Sequence, residues 1–190
     1  MARADAQRNV ELLLAAAKEE FSLQGVDVNV RAIAARAGVG TATLYRHFPQ
    51  RSDLISAVFR REIDACASDG AVLTEAHGPE EALRLWLLRY TEFVATKHGL
   101  AAALHSGNPA FNALPVYFHE RLGPVLAELL INAQKENPHQ PGAARSDVEP
   151  LDILGAVANL CIPASSSGDS SRVQRMVNIF IDGLLTSLRA

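Results

Sequence analysis

A run of hydrogen-bonding side chains follows a glycine-rich turn near residue 40 of this 190-residue chain. The segment GVGTATLYRHFP, residues 38–49, contains Thr43, Tyr45 and His47, whose polar groups suit hydrogen bonds to phosphate oxygens. Arg46, in the same run, suits the edge of a base. Because such residues are poor core formers, we expect them to face a partner outside the chain.

Two short helices are predicted to position this segment. The first, at about 30–37, follows the capping residue Asn29 and ends at Gly38, which tolerates a left-handed backbone. The second, at about 40–47, turns Leu44 toward a core. This pattern predicts a helix-turn-helix. Its second helix is expected to expose six residues, namely Thr41, Ala42, Thr43, Tyr45, Arg46 and His47.

The charge distribution supports a nucleic-acid partner for this part of the chain only. The whole protein has a net charge of -3, yet residues 28–61 contain six arginines and one aspartate, a local charge of +5. Beyond residue 65, nine cationic and thirteen acidic residues reverse the sign. We therefore expect a local basic surface and a different partner for the second half.

Helical periodicity without sustained alternation predicts an all-α fold of about nine helices. We expect an N-terminal DNA-binding domain at 1–50, a connecting helix at 51–67 and a helical ligand-binding and dimerisation domain at 68–190. The predicted helices cover about 5–23, 30–37, 40–47, 51–67, 80–98, 100–106, 111–136, 148–161 and 171–189, and the predicted loops cover 68–79, 137–146 and 163–170. Pro115 and the pair Gly123 and Pro124 are expected to kink the long helix.

Other protein classes lack their usual signatures. Cys66 and Cys161 are far apart and show no zinc spacing, so we expect reduced thiols and no metal or cofactor. The start of the chain has no secretory signal, and no segment is apolar for long enough to cross a membrane, so a cytoplasmic location is expected. Phosphate-binding, nucleophile-elbow and metalloprotease motifs are absent, which argues against an enzyme.

The segment VRAIAARAGVGTATLYRHFPQRSDLISAVF, residues 30–59, resembles the N-terminal signature of the TetR/AcrR-like bacterial transcriptional regulators. The chain departs from that signature at Gly40, Thr41 and Gln50, where Ser, Lys and Ser are common. The resemblance implies DNA contacts from Arg31, Thr41, Ala42, Thr43, Tyr45, His47 and Arg51. It also implies that the middle helices enclose a small-molecule pocket.

Aromatic and apolar residues of the middle helices are the candidates for that pocket, although plain core is the commoner role of such residues. The ligand-binding candidates are Trp86, Tyr90, Phe93, His105, Phe111, Tyr117, Phe118 and Leu122. A hydrophobic or amphipathic effector would suit them.

A recognition helix of two turns makes few base contacts, so specificity favours a homodimer on a pseudo-palindromic operator. The last two helices carry the apolar stripes expected to pair, and the motif DGLL at 182–185 resembles the family's C-terminal helix. The interface candidates are Leu151, Leu154, Ala158, Val173, Val177, Phe180, Ile181 and Leu184, for which intrachain core is the alternative.

The sequence thus predicts a ligand-responsive, homodimeric transcriptional regulator, expected to be a repressor, that binds double-stranded DNA and is released by an unidentified small molecule. A helical-bundle binding protein or enzyme that retains an idle DNA-binding module is one alternative. A dimer that binds DNA without regard to sequence is another.

Overall fold

The computed structural model describes residues 2–104, 106–135, 148–161 and 170–189, and helices account for most of these residues. The eight α-helices of these ranges are α1 (Ala2–Gln24), α2 (Val30–Arg36), α3 (Thr41–His47), α4 (Arg51–Ala76), α5 (Pro79–Leu104), α6 (Leu114–Lys135), α7 (Pro150–Leu160) and α8 (Ser170–Arg189). A 3-10 turn at Pro109–Phe111 precedes α6, and these ranges contain no strand. The all-α prediction is confirmed.

The chain divides into two compact units. The N-terminal unit comprises Met1–Glu62 and Thr96–Tyr117, and the C-terminal unit comprises Ile63–Ala95 and Phe118–Ala190. The three long helices α4, α5 and α6 therefore each contribute to both units. This division follows from the contacts within each unit and does not test what each part of the chain does. The functional boundaries expected after residues 50 and 67 therefore remain predictions.

The first three helices of the N-terminal unit bury one apolar core. Leu13 of α1, Ile33 of α2 and Leu44 of α3 are almost completely buried. The predicted cap is confirmed, since Asn29 Oδ1 accepts a hydrogen bond of 2.9 Å from the backbone N–H of Arg31. The turn is confirmed as well, because Gly38 has a φ of 69°, in the left-handed region that favours glycine.

A partly buried ion pair joins α4 to α1. Lys18 Nζ lies 2.6 Å from the carboxylate of Glu62, which is only 4% exposed. A charge with so little access to water requires a partner, so this contact constrains the position of α4 in the N-terminal unit.

Two predicted interruptions between helices were wrong. The expected loop at 68–79 is helical as far as Ala76, and the helices expected at 80–98 and 100–106 form the single helix α5. Gly70 suggested a loop, yet it lies buried within α4, where an added Cβ would collide with Val125 of α6. It is a glycine of close helix packing, which a single sequence does not distinguish from a glycine of a turn.

The start of α6 also differs from the prediction. The helix expected from residue 111 begins at Leu114, after the 3-10 turn. Pro115 lies in its first turn, where a backbone N–H would have no helical partner, and Pro124 lies inside the helix. The loops expected at 137–146 and 163–170 lie outside the described residues, apart from Ser170, which begins α8. No helix in the described ranges has the length and apolar content that crossing a bilayer requires.

Candidate nucleic-acid interface

Helix α3 has a buried face and a polar face. Leu44 is 1% exposed and Phe48, its capping residue, is 8% exposed, so both belong to the core. Tyr45 is 49% exposed, and Arg46 lies exposed beside it. Of the other predicted residues of α3, Ala42 is exposed and Thr41, Thr43 and His47 are half-buried. The structure thus brings all six predicted side chains together on one short helix.

The imidazole of His47 lies at the border between the core and the polar face of α3. Its Nε2 is buried and has no hydrogen-bond partner in the described part of the chain, and its ring centroid lies 6.4 Å from that of Phe48. The residue as a whole is half-buried, so part of its side chain stays accessible beside Tyr45 and Arg46.

Two arginines provide the unpaired positive charge of this surface. Arg31 of α2 and Arg46 of α3 are both exposed, and neither side chain has an ion-pair partner in the described part of the chain. Their guanidinium donors are therefore available to an anionic partner such as a nucleic-acid backbone.

Arg51, the remaining predicted DNA contact, is held by the protein itself. One terminal nitrogen of its half-buried guanidinium donates to the carbonyl oxygen of Val28 at 2.8 Å, and the other donates to the carbonyl of Val26. Arg51 thereby ties the loop between α1 and α2 to the first turn of α4. Only its remaining N–H groups are left for an external partner.

The other three arginines of the basic segment are also engaged. Arg36 lies 2.8 Å from Glu19 and 2.5 Å from Glu20, and the hydrogen bond that its Nε donates to the Glu20 carboxylate raises the pKa of Arg36. Arg61 lies 3.5 Å from Glu11. Arg60 stacks on an aromatic ring of α6. The positive charge available to a partner is therefore smaller than the net charge of +5 of residues 28–61 predicts. The reason is that acidic residues of α1, which precede this segment in the chain, pair with two of its arginines.

Four of the predicted ligand-binding residues stack together in the C-terminal unit. The Tyr90 ring lies 6.1 Å from Trp86 and 5.8 Å from Phe93, and Phe93 lies 5.8 Å from Phe118. Trp86, Tyr90 and Phe93 are almost completely buried, as is Leu122 of the same unit. Trp86, Tyr90, Phe93 and Phe118 form the aromatic cluster.

The polar atoms of the aromatic cluster already have protein partners. Trp86 Nε1 donates to the carbonyl of Cys66 at 2.9 Å, and the Tyr90 hydroxyl donates to the carbonyl of Leu154 at 3.3 Å. Burial raises the pKa of Tyr90, which keeps this donor protonated. An effector would have to open the cluster or bind at its edge, at half-buried Phe118.

The remaining ligand-binding candidates are not part of the cluster. Phe111 and Tyr117 belong to the N-terminal unit, where Phe111 is buried and Tyr117 is half-buried. His105 lies outside the described residues.

The predicted dimer residues divide into buried and accessible groups. Leu154, Val177 and Ile181 are at most 1% exposed within their own chain, so their side chains do not reach the surface. Leu151 is exposed, and Ala158, Val173, Phe180 and Leu184 are half-buried.

Two exposed apolar residues of α8 were missed. Met176 is 43% exposed and Ile179 is 64% exposed. They lie three residues apart and extend the predicted stripe to one side, since Met176 is three residues after Val173 and four before Phe180. The continuation of the apolar stripe through these two residues was the signal that could have revealed them.

The chain is similar to known bacterial transcriptional regulators. The model of bacterial regulatory proteins of the tetR family matches residues 13–58. A C-terminal domain model described as transcriptional regulator SbtR-like matches residues 78–186. HTH-type transcriptional regulators from Staphylococcus aureus strains are 27% identical over 122 residues, which is 63% of this chain and 66% of theirs, slightly under two thirds of their length.

Solved structures match over most of the chain. The crystal structure of the TetR transcriptional regulator SCO0520 from Streptomyces coelicolor is 31% identical, with a TM-score of 0.74, over 92% of this chain and 97% of that one. The TetR transcription regulatory protein from Mycobacterium vanbaalenii is 30% identical, with a TM-score of 0.69, over 96% and 98% of the two chains. The similarity thus includes the helices beyond the helix-turn-helix.

Proposed function

Since this chain belongs to the TetR family of DNA-binding transcriptional regulators, we propose that it is a homodimeric repressor that leaves its operator when a small molecule binds. The family points to a regulator and not to an enzyme. The single observation that carries the proposal is the exposed polar face of α3, where Tyr45 and Arg46 have no role in the core. Such a regulator would act in the bacterial cytoplasm.

We assign operator contacts to the eight predicted residues of α2, α3 and α4. In this proposal Arg46 and Thr41 contact base edges, and the polar groups of Thr43, Tyr45 and His47 contact phosphates. Ala42 would allow close approach to the groove. Arg31 and the remaining donors of Arg51 would contact the phosphate backbone from either side of α3.

We assign dimerisation to the exposed faces of α7 and α8. Leu151, Met176 and Ile179 leave apolar surface exposed in the single chain, and pairing these helices with a second copy would bury it. A twofold axis would then place two copies of α3 in successive major grooves, roughly 34–36 Å apart.

We assign effector binding to the predicted domain at 68–190, with the aromatic cluster as its apolar wall. An effector that fits one arrangement of α4, α5 and α6 better than another shifts the population toward it. Because these helices continue into the N-terminal unit, the shift would change the separation of the two recognition helices. Loss of simultaneous binding by both copies would then release the operator.

The test is selection of bound duplexes from a random pool, followed by footprinting of the selected sequence. We expect a protected pseudo-palindrome with half-sites about 10 base pairs apart. Replacement of Thr43, Tyr45 or His47 by Ala should weaken binding at least about tenfold, since each loses a hydrogen bond to a charged group. Thr74→Ala, at an exposed threonine of α4, is the matched control. Affinity that is indifferent to DNA sequence and to all three substitutions would overturn the proposal.

Repetition of the binding assay with candidate effectors tests the release step. An effector of this repressor should lower operator affinity without changing the oligomeric state.

A further inference from the structure

An open cleft of about 400 Å³ lies within the N-terminal unit. Its walls are the loop between α1 and α2, the first turns of α4 and, further along the chain, Ala103, Ser106, Asn108 and Phe111. The volume falls in the roughly 300–1,000 Å³ range of small-molecule sites. Among the described residues that line it, Phe111 is the one predicted to bind a ligand.

The floor of this cleft is apolar. Ile55 is 2% exposed and Phe111 is 7% exposed, and half-buried Ala103 of α5 lies beside them. A ligand group that covers this floor would gain from leaving water.

The cleft also carries two opposite charges that do not neutralise each other. Arg51 and Asp27 both line it, yet neither has an ion-pair partner in the described part of the chain. The guanidinium of Arg51 binds the carbonyls of Val26 and Val28, on either side of Asp27, and no carboxylate. These bonds hold the guanidinium in place, while the Asp27 carboxylate is exposed and available.

We propose that this cleft binds a small zwitterion that carries a carboxylate, an ammonium group and an apolar side group, in the manner of an apolar amino acid. The carboxylate would contact Arg51 and the hydroxyl of Ser52, the ammonium group would contact Asp27, and the apolar group would cover Ile55 and Phe111. The site is separate from the aromatic cluster. It shares Arg51 with the proposed operator contacts, so its occupancy is measured on the protein without DNA.

Calorimetric titration of the full chain with three probes tests the proposal. L-phenylalanine carries both charges, phenylacetate carries only the carboxylate, and 2-phenylethylamine carries only the ammonium group. We expect L-phenylalanine to bind most tightly. Asp27→Asn should weaken its binding about fivefold, the value of one exposed ion pair of about 1 kcal/mol.

A matched control and a blocking variant complete the experiment. Asp5→Asn makes the same change at an exposed aspartate outside the cleft and should leave L-phenylalanine binding unchanged. Ala103→Leu should abolish it by filling the cleft, and circular dichroism should show an intact helix because leucine favours helices. Absence of L-phenylalanine binding, equal binding of phenylacetate, or equal effects of the two aspartate variants would each overturn the proposal.

Discussion

The guanidinium carbon of Arg60 lies 4.3 Å from the centroid of the Tyr117 ring, which joins α4 to the first turn of α6 within the N-terminal unit. The sequence predicts different roles for these residues: Arg60 belongs to the basic segment and Tyr117 is a ligand-binding candidate. In the folded chain they contact each other, and this cation-π contact helps to fix α4 relative to α6.

The contact between Arg60 and Tyr117 should contribute measurably to stability. Tyr117→Leu, which removes the ring, should lower the free energy of unfolding by roughly 0.5–1 kcal/mol relative to Tyr117→Phe, which keeps it. Urea denaturation of the two variants gives the difference. Equal midpoints would show that the stacked guanidinium adds nothing.

Arg36 is expected to stabilise the fold, whereas Arg46 is not. Arg36→Ala leaves the carboxylate of Glu20, which is 4% exposed, with Gln24 as its remaining hydrogen-bond donor. We expect a clear loss in the free energy of unfolding, because the buried carboxylate then has fewer hydrogen-bond donors. Arg46→Ala, at an exposed and unpaired residue, should stay within about 0.5 kcal/mol of the unchanged protein. Similar losses in chemical denaturation would contradict this assignment.

The salt dependence of operator binding should separate unpaired from paired arginines. Arg31→Ala removes one available cation from each subunit, so the slope of log K against log salt should decrease by about 2 for a dimer. Arg61→Ala removes a cation that already pairs with Glu11 and should leave the slope nearly unchanged. Equal slopes for the two variants would mean that ion pairs within the protein do not decide which arginines contact DNA.

Gly70 should tolerate alanine poorly although it lies within a helix. Gly70→Ala would place a Cβ against Val125, and we expect a net loss of roughly 1–3 kcal/mol from overpacking. Gly155→Ala, at an exposed glycine of α7 with open space around it, should instead gain up to about 1 kcal/mol from helix propensity. Thermal denaturation checks both changes, and a stabilised Gly70→Ala protein would contradict the close packing of α4 and α6.

Local patterns predicted the N-terminal helices well. The cap at Asn29, the left-handed Gly38 and the alternation of buried Leu44 with exposed Tyr45 are all properties of a few neighbouring residues. Predictions were weaker where one residue type serves two purposes. Gly70 favours a loop when the sequence alone is considered, because a turn and a close helix contact both require the absence of a side chain.

Local sequence patterns are sufficient to predict the helical class, the helix-turn-helix and the polar face of α3, because helix periodicity and capping act over a few residues. Which arginines keep their charge available depends on the folded chain. Arg36 and Arg61 are paired by acids of α1, whereas Arg31 and Arg46 are not. The tertiary structure also decides that α7 and α8 bury Leu154 and Val177 and expose Ile179. Ion pairs and burial depend on distances between residues remote in the chain, which packing sets and no local pattern records.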